Sequence, residues 1–323
     1  MARAVDVPDL VARARAADAR AVARLISLVE DASPHLREVM ALLAPHTGQA
    51  HVIGLTGSPG VGKSTSTSAL VGGFRARGLR VGVLAVDPSS PFSGGALLGD
   101  RVRMQEHATD PEVFIRSMAS RGHLGGLAWT TPQALRVLDS AGCDVILVET
   151  VGVGQSEVEV AGLADTTVVL LAPGMGDGIQ AAKAGILEIG DVYVVNKADR
   201  DGADNTVREL RSMLSLGEKQ PVDAWKPPIV KTVASRGEGL PELLDALDRH
   251  LEWLRASGHL HGRRLRRAAE EIEAIAVADL RQRMGSLSDG QHLQELAAQV
   301  VAGALDAFSA ADTLVAGLVD QPS

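Results

Sequence analysis

The chain has 323 residues, 46% of them hydrophobic and 22% charged, a composition that fits a folded globular protein and excludes a disordered one. Its formal net charge of -8 argues against a nucleic-acid-binding surface, which needs clustered Lys and Arg. A single cysteine, Cys143, excludes a disulfide framework and a Cys-based metal cluster, and no run approaches the roughly 18 apolar residues that span a bilayer, so a cytoplasmic protein without membrane contact is expected.

Residues 1–46 carry helical periodicity, and ASPHLREVMALL offers Ser33 as an N-cap with Pro34 at the first helical position. Over residues 47–256, short Val/Ile/Leu-rich runs alternate with helical segments: AHVIGLTG, RVGVLAVD, DVILVET, TTVVLLAP, DVYVVNKAD and PIVKTVAS. Continuous apolar runs of this length, separated by helices, predict parallel strands covered on both faces, hence a doubly wound, mostly parallel α/β domain. Residues 257–323 are helical, with LRRAAEEIEAIAVADLRQRM and HLQELAAQVVAGALDAF both amphipathic. Their apolar stripe has to be buried on the core or on a second subunit.

The phosphate loop comes first along the chain. GLTGSPGVGKST matches G-x-x-x-x-G-K-S/T from Gly57 to Ser64, after a predicted strand and before a predicted helix, as the motif requires. The nucleotide-binding candidates there are Gly57, Ser58, Pro59, Gly60, Val61, Gly62, Lys63, Ser64 and Thr65. The glycines let backbone N–H groups turn inward onto phosphate oxygens, and the helix adds its positive end. Lys63 is expected to neutralise the β and γ phosphates, and Ser64 to offer its hydroxyl to Mg²⁺.

The next strand ends at Asp87, and its Pro/Ser/Gly-rich continuation runs to Asp100. That placement resembles the GTPase class of the signal-recognition-particle and nitrogenase-type NTPases, in which the first of these carboxylates orders Mg²⁺ and the attacking water; Asp100 is a second metal candidate. Arg103, Arg116 and Arg121 flank Gly-rich turns and are candidates for phosphate or partner contacts. DVILVETVGVGQSE then delivers Glu149 from an apolar strand to a glycine-rich loop. If that strand lies beside the one before the phosphate loop, Glu149 faces Mg²⁺ and the γ-phosphate, and Gly152 can bond that phosphate and be released after hydrolysis. Most GTPases carry Asp at this position.

VVNKADR places N-K-x-D at a strand end, with Asn196, Lys197 and Asp199. The Asp199 carboxylate can accept two parallel N–H bonds from guanine, whereas adenine presents an acceptor at N1 and leaves the charge unpaired. TVASRGEG follows another strand and would bring the backbone of Ala234, Ser235 and Arg236 beside the base. His259 and His261, in GHLHG, are read as surface histidines of a loop, without a third metal ligand nearby.

Across residues 51 to about 240 the chain resembles the methylmalonyl-CoA mutase-associated GTPases, the MeaB/ArgK family that includes the methylmalonic aciduria type A protein. The resemblance is carried by GSPGVGKST, VDPSSPFSGGALLGDRVRM, SMASRGHLGGLA, DVILVETVGVGQSEVEVA, PGMGDGIQAAKAGILEIGDVYVVNKAD and TVASRGEGL. It implies a homodimeric GTPase with a C-terminal dimerisation arm, binding GTP/GDP and Mg²⁺. It also implies a chaperone that loads, protects and reactivates an adenosylcobalamin-dependent acyl-CoA mutase. Gln155 falls in the implied switch after Glu149, and Asp177, Gln180 and Lys183 in a third switch. Gln180 and Lys183 share one helix face, and Lys183 is a candidate catalytic cation for the γ-phosphate. Metal-delivery GTPases of the urease or hydrogenase accessory type, and nucleotide-dependent kinases, stay open as alternatives.

Overall fold

Among the described residues, three short α-helices precede the first strand: α1 (Val7–Arg15), α2 (Ala19–Glu30) and α3 (Leu36–Leu43). The computed structural model describes residues 5–88, 104–120, 130–150, 156–174, 185–215, 221, 223–288 and 291–319. Asp6 and Asp18 cap the first two helices, with Asp18 Oδ1 accepting from the amides of Arg20 and Ala21 at 2.9 and 3.3 Å. The expected cap at Ser33 is displaced. Ser33 lies in the turn ahead of α3, where its hydroxyl accepts from His35 N at 3.3 Å, and α3 begins without a side-chain cap.

The sheet contains β1 (His51–Thr56), β2 (Val81–Pro88), β3 (Val113–Ser120), β4 (Val145–Thr150), β5 (Thr166–Leu171), β6 (Val192–Val195) and β7 (Ile229–Lys231). Their order is β3-β2-β4-β1-β5-β6-β7, and every pairing is parallel. Among the described residues, five further α-helices belong to this layer structure: α4 (Lys63–Ala76), α5 (Thr131–Ser140), α6 (Ser156–Leu163), α7 (Ala203–Ser215) and α8 (Leu240–Ala256). This is the doubly wound architecture expected from the alternating runs.

Strand alternation divides the core between the two faces. Val52, Leu84, Val86, Ile146 and Val148 pack with α1, α2, α3, α5 and α6. Ile53, Leu55, Val81, Val83, Val145, Leu147, Val168 and Leu170 pack with α4 and α8 on the other face. The N-terminal helices therefore form part of the sheet's covering. At Gly54 an added Cβ would come within 2.6 Å of Val160 Cγ2, so this residue lets α6 lie close across β1.

The strand absent from the sequence reading is β3. At the sheet edge its residues Val113 to Ser117 are only partly buried, so no continuous apolar run marks it. Arg116 sits mid-strand and donates to Ser27 Oγ (3.2 Å) and Glu30 of α2. It thus ties the sheet edge to helix α2.

Beneath the N-terminal ends of the strands lies a buried polar cluster. Asp191 receives both guanidinium branches of Arg263 at 2.8 Å and the amide of Thr167 at 2.8 Å. His250 Nε2 is 3.3 Å from Asp191 Oδ1, outside hydrogen-bond alignment, while its Nδ1 meets Thr166 Oγ1 at 2.8 Å. Burial alone would raise the pKa of Asp191; the contacts with His250 and Arg263 overcome it and hold the value at about 2, below the ordinary 3.8. A carboxylate depressed in the folded state stabilises it fully above pH 3.8, and that contribution is lost as pH falls toward 2. Asp191 is therefore expected to contribute about 2 kcal/mol at pH 7 that disappears in acid. Denaturant melts at pH 7 and pH 3 should show Asp191→Asn flattening this part of the acid limb.

The chain divides into two compact units, Met1–Arg263 and Arg264–Ser323. Helix α9 (His259–Ser288) begins within the first, so His259 opens a helix and does not lie in a loop; it stacks on Trp253 with ring centroids 4.7 Å apart. The second unit holds the remainder of α9 with α10 (Gln291–Val301) and α11 (Ala307–Val319), and exposes Leu265, Ile272, Leu280 and Phe308. Among the described residues, no helix is long and apolar enough to cross a membrane.

Candidate nucleotide-binding site

The loop between β1 and α4 spans residues 57–62, and Gly57, Gly60 and Gly62 have φ of 143°, 81° and 97°. Side chains are excluded for a second reason. A Cβ at Gly57 would stand 2.3 Å from the Leu170 carbonyl oxygen, and one at Gly62 would stand 2.5 Å from Asn196 Nδ2. Val61 is buried and anchors the loop from below, while Pro59 and Gly60 are exposed at its tip and Ser58 is half-buried. Lys63 and Ser64 open α4, so the helix's free N–H groups and positive end point at the loop's concave side. Thr65 is exposed on the first turn.

Lys63 Nζ folds back over the loop and donates to the carbonyls of Gly57 (2.5 Å) and Ser58 (3.3 Å). The ammonium is therefore held at the mouth of the cradle, and Lys63 as a whole is buried.

Glu149 reaches the same place through strand alternation. Val145 and Leu147 face α4, so Glu149, next in that series, faces α4 as well. Its Oε1 accepts from Ser64 Oγ at 2.6 Å, and its Oε2 accepts from Thr67 Oγ1 at 3.0 Å. β4 pairs with β1 as the sequence reading required, with Leu55 opposite Glu149. Asp87 lies in β2 two residues beyond Ala85, the partner of Glu149, and thus further along toward the C-terminal edge of the sheet. Asp100, Arg103, Arg121, Gly152, Gln155, Asp177, Gln180 and Lys183 lie outside the described residues.

The base-side loops are joined to the phosphate loop by direct bonds. Asn196 donates from Nδ2 to the Val61 carbonyl at 2.9 Å, and its Oδ1 accepts from Ala234 N at 3.1 Å and Thr232 Oγ1 at 3.2 Å. Lys197, in the left-handed region at φ 56°, donates to the Gly60 carbonyl at 2.5 Å. Asp199 pairs with Arg236 Nη2 at 2.5 Å, and Ser235 is exposed in the short turn 234–236. The structure thus brings Gly57–Thr65, Glu149, Asn196, Lys197, Asp199 and Ala234–Arg236 to one edge of the sheet. Sequence reasoning missed Thr67, a hydroxyl at a core position of α4.

The donor set has the chemistry of a hard divalent cation beside polyphosphate: a serine hydroxyl and a carboxylate, both oxygen donors, 2.6 Å apart at the start of a helix. These residues fit Mg²⁺. Among the described residues no group of three His, Cys, Asp or Glu is placed to hold a metal by itself.

A family model described as Methylmalonyl Co-A mutase-associated GTPase MeaB matches residues 22–289. A protein of Pyrococcus horikoshii is 48% identical over 315 residues, spanning 97% of this chain and 98% of its own. The GTPase ArgK of Escherichia coli is 35% identical over 268 residues, 81% of each chain. A solved LAO/AO transport system kinase shares 26% identity at a TM-score of 0.71, over 98% of this chain and 99% of its own.

Proposed function

The chain belongs to the methylmalonyl-CoA mutase-associated GTPase family MeaB, and on that premise we propose that it hydrolyses GTP to GDP and phosphate in the service of an adenosylcobalamin-dependent acyl-CoA mutase. The service is loading, protection and reactivation of the mutase cofactor, performed by a homodimer joined through residues 257–323. The observation that carries the nucleotide reading is the pair of bonds from Asn196 and Lys197 into the phosphate loop. They fix the Asp199 loop beside a polyphosphate cradle, where a carboxylate selects guanine by its paired N–H groups.

Within this reading, the amides of residues 57–62 and the start of α4 bind the phosphates. Lys63 exchanges its carbonyl partners for β and γ oxygens, bringing its charge to where negative charge builds. Ser64 and Glu149 hold Mg²⁺, with Asp87 and Asp100 as further candidates that orient the water. Mg²⁺, when bound, supplies charge neutralisation to the β and γ oxygens. Gly152, Gln155, Asp177, Gln180 and Lys183 are proposed as the parts that respond to the mutase, Lys183 by adding a cation at the γ-phosphate.

The test is steady-state hydrolysis of GTP by the purified protein, alone and with an equimolar adenosylcobalamin-dependent mutase, with ATP as control. The expected result is slow basal turnover, strong stimulation by the mutase, loss of that stimulation in Lys183→Ala, and no ATP turnover. Stimulation by no mutase would remove the partner, and equal ATP turnover would remove the role of Asp199. The name of the solved relative favours a second reading, transfer of the γ-phosphoryl group to an acceptor. With γ-labelled GTP, label found on an acceptor and not in free phosphate would establish that reading instead.

A further inference from the structure

We propose that Thr67 is a positioning residue for the metal side of this site. Its hydroxyl clamps one oxygen of Glu149 so that the other stays on Ser64. The inference rests on reading Ser64 and Glu149 as the Mg²⁺ side of the nucleotide site.

Helix α4 packs on the sheet through Thr67, Leu70, Val71 and Phe74, spaced i, i+3, i+4 and i+7. Thr67 is as fully buried as the apolar members of this stripe, at 0% exposure. A valine would fill the same volume, so packing does not account for the hydroxyl, and a buried hydroxyl is costly unless it is bonded.

Thr67 Oγ1 stands 3.0 Å from Glu149 Oε2 and 3.0 Å from the Lys63 carbonyl oxygen. Both are acceptors and the hydroxyl carries one proton, so donation to Glu149 competes with the local bond to the Lys63 carbonyl, of a kind that many helical threonines make. The contact with Glu149 joins two elements separated by 82 positions in sequence. Ser64 and Thr67, one helical turn apart, therefore present two hydroxyls at the spacing of the two carboxylate oxygens.

Glutamate has one more rotatable bond than aspartate, hence more conformers to lose at a strand end. Engagement of Oε2 by Thr67 removes that freedom without involving the metal. When Ser64 is engaged elsewhere, the Thr67 contact can persist and keep Oε1 in place.

The experiment measures release of a fluorescent GDP analogue from the full-length protein across a Mg²⁺ titration, for wild type, Thr67→Val and Thr67→Ser. Thr67→Val is expected to raise the Mg²⁺ midpoint about tenfold, in line with the loss of an outer-shell partner of a metal ligand. Release in excess chelator should be unchanged, and Thr67→Ser should restore the midpoint. A Mg²⁺-dependent wild type with an unshifted Thr67→Val midpoint would overturn the clamp alone. Thr67→Ser as defective as Thr67→Val would also overturn it, since the methyl group and not the hydroxyl would then matter. A wild type whose release ignores Mg²⁺ would overturn the metal reading, and this inference with it.

Discussion

Lys63→Ala is expected to lower kcat/KM for GTP by on the order of 10³-fold while leaving the fold intact. The ammonium is held over the loop by the Gly57 and Ser58 carbonyls, on a residue that is only 7% exposed, so it acts where water screens poorly. Two unit charges about 4 Å apart interact by about 4 kcal/mol at an effective dielectric of about 20, which corresponds to roughly that factor. GDP affinity should fall less than GTP turnover, because the γ-phosphate carries the charge that Lys63 is proposed to meet in hydrolysis. Lys63→Arg should fail as well: the guanidinium is a broad planar fork, and the cradle accommodates a single compact donor. Phosphate-release kinetics with circular dichroism as the folding control checks both variants. A loss smaller than tenfold in Lys63→Ala would remove Lys63 from the chemistry.

Asp199→Asn is expected to cost roughly 10²–10³ in kcat/KM for GTP and to raise turnover of the xanthine nucleotide. Guanine offers two N–H donors in parallel, and a carboxylate has two acceptor oxygens to match them. A carboxamide replaces one of those acceptors with a donor, setting N–H against N–H; xanthine, with a carbonyl at the second position, restores the match. The existing partner of Asp199 does not obscure the result. Arg236 and Asp199 are 54% and 40% exposed, so their ion pair is screened and contributes little to stability. Once released, Arg236 still has Glu238, 3.4 Å away. Parallel kinetics with GTP and XTP decide the matter, and an unchanged preference for GTP would place guanine recognition elsewhere.

The parts of the site legible in the sequence are those in which one short segment carries the whole geometry. The glycines at 57, 60 and 62, the Lys and Ser that follow, and N-K-x-D after a strand are of this kind, because their function requires neighbours in sequence. Glu149 was legible because it ends an apolar strand just before a glycine-rich loop, and the reading needed only that this strand lie beside β1, as it does. β3 was not, because an edge strand buries too little to need a continuous apolar run. Thr67 was not, because a threonine in a helix looks like an ordinary solvated residue until the helix is docked and its hydroxyl meets Glu149. The cluster of Asp191, His250, Thr166 and Arg263 was hidden for the same reason, its members being brought together only by the sheet and two later helices. Ser33 shows the opposite failure: a local capping pattern was present, but the helix begins after it.

The side chain of Asn196 ties its own loop to two others, bonding Val61 in the phosphate loop and Thr232 and Ala234 in the segment after β7. A junction of this kind turns three loops into one jaw. Their relative placement is settled when the protein folds, so a nucleotide arriving at the jaw does not have to assemble it, and the ordering entropy that would otherwise weaken every encounter has already been spent.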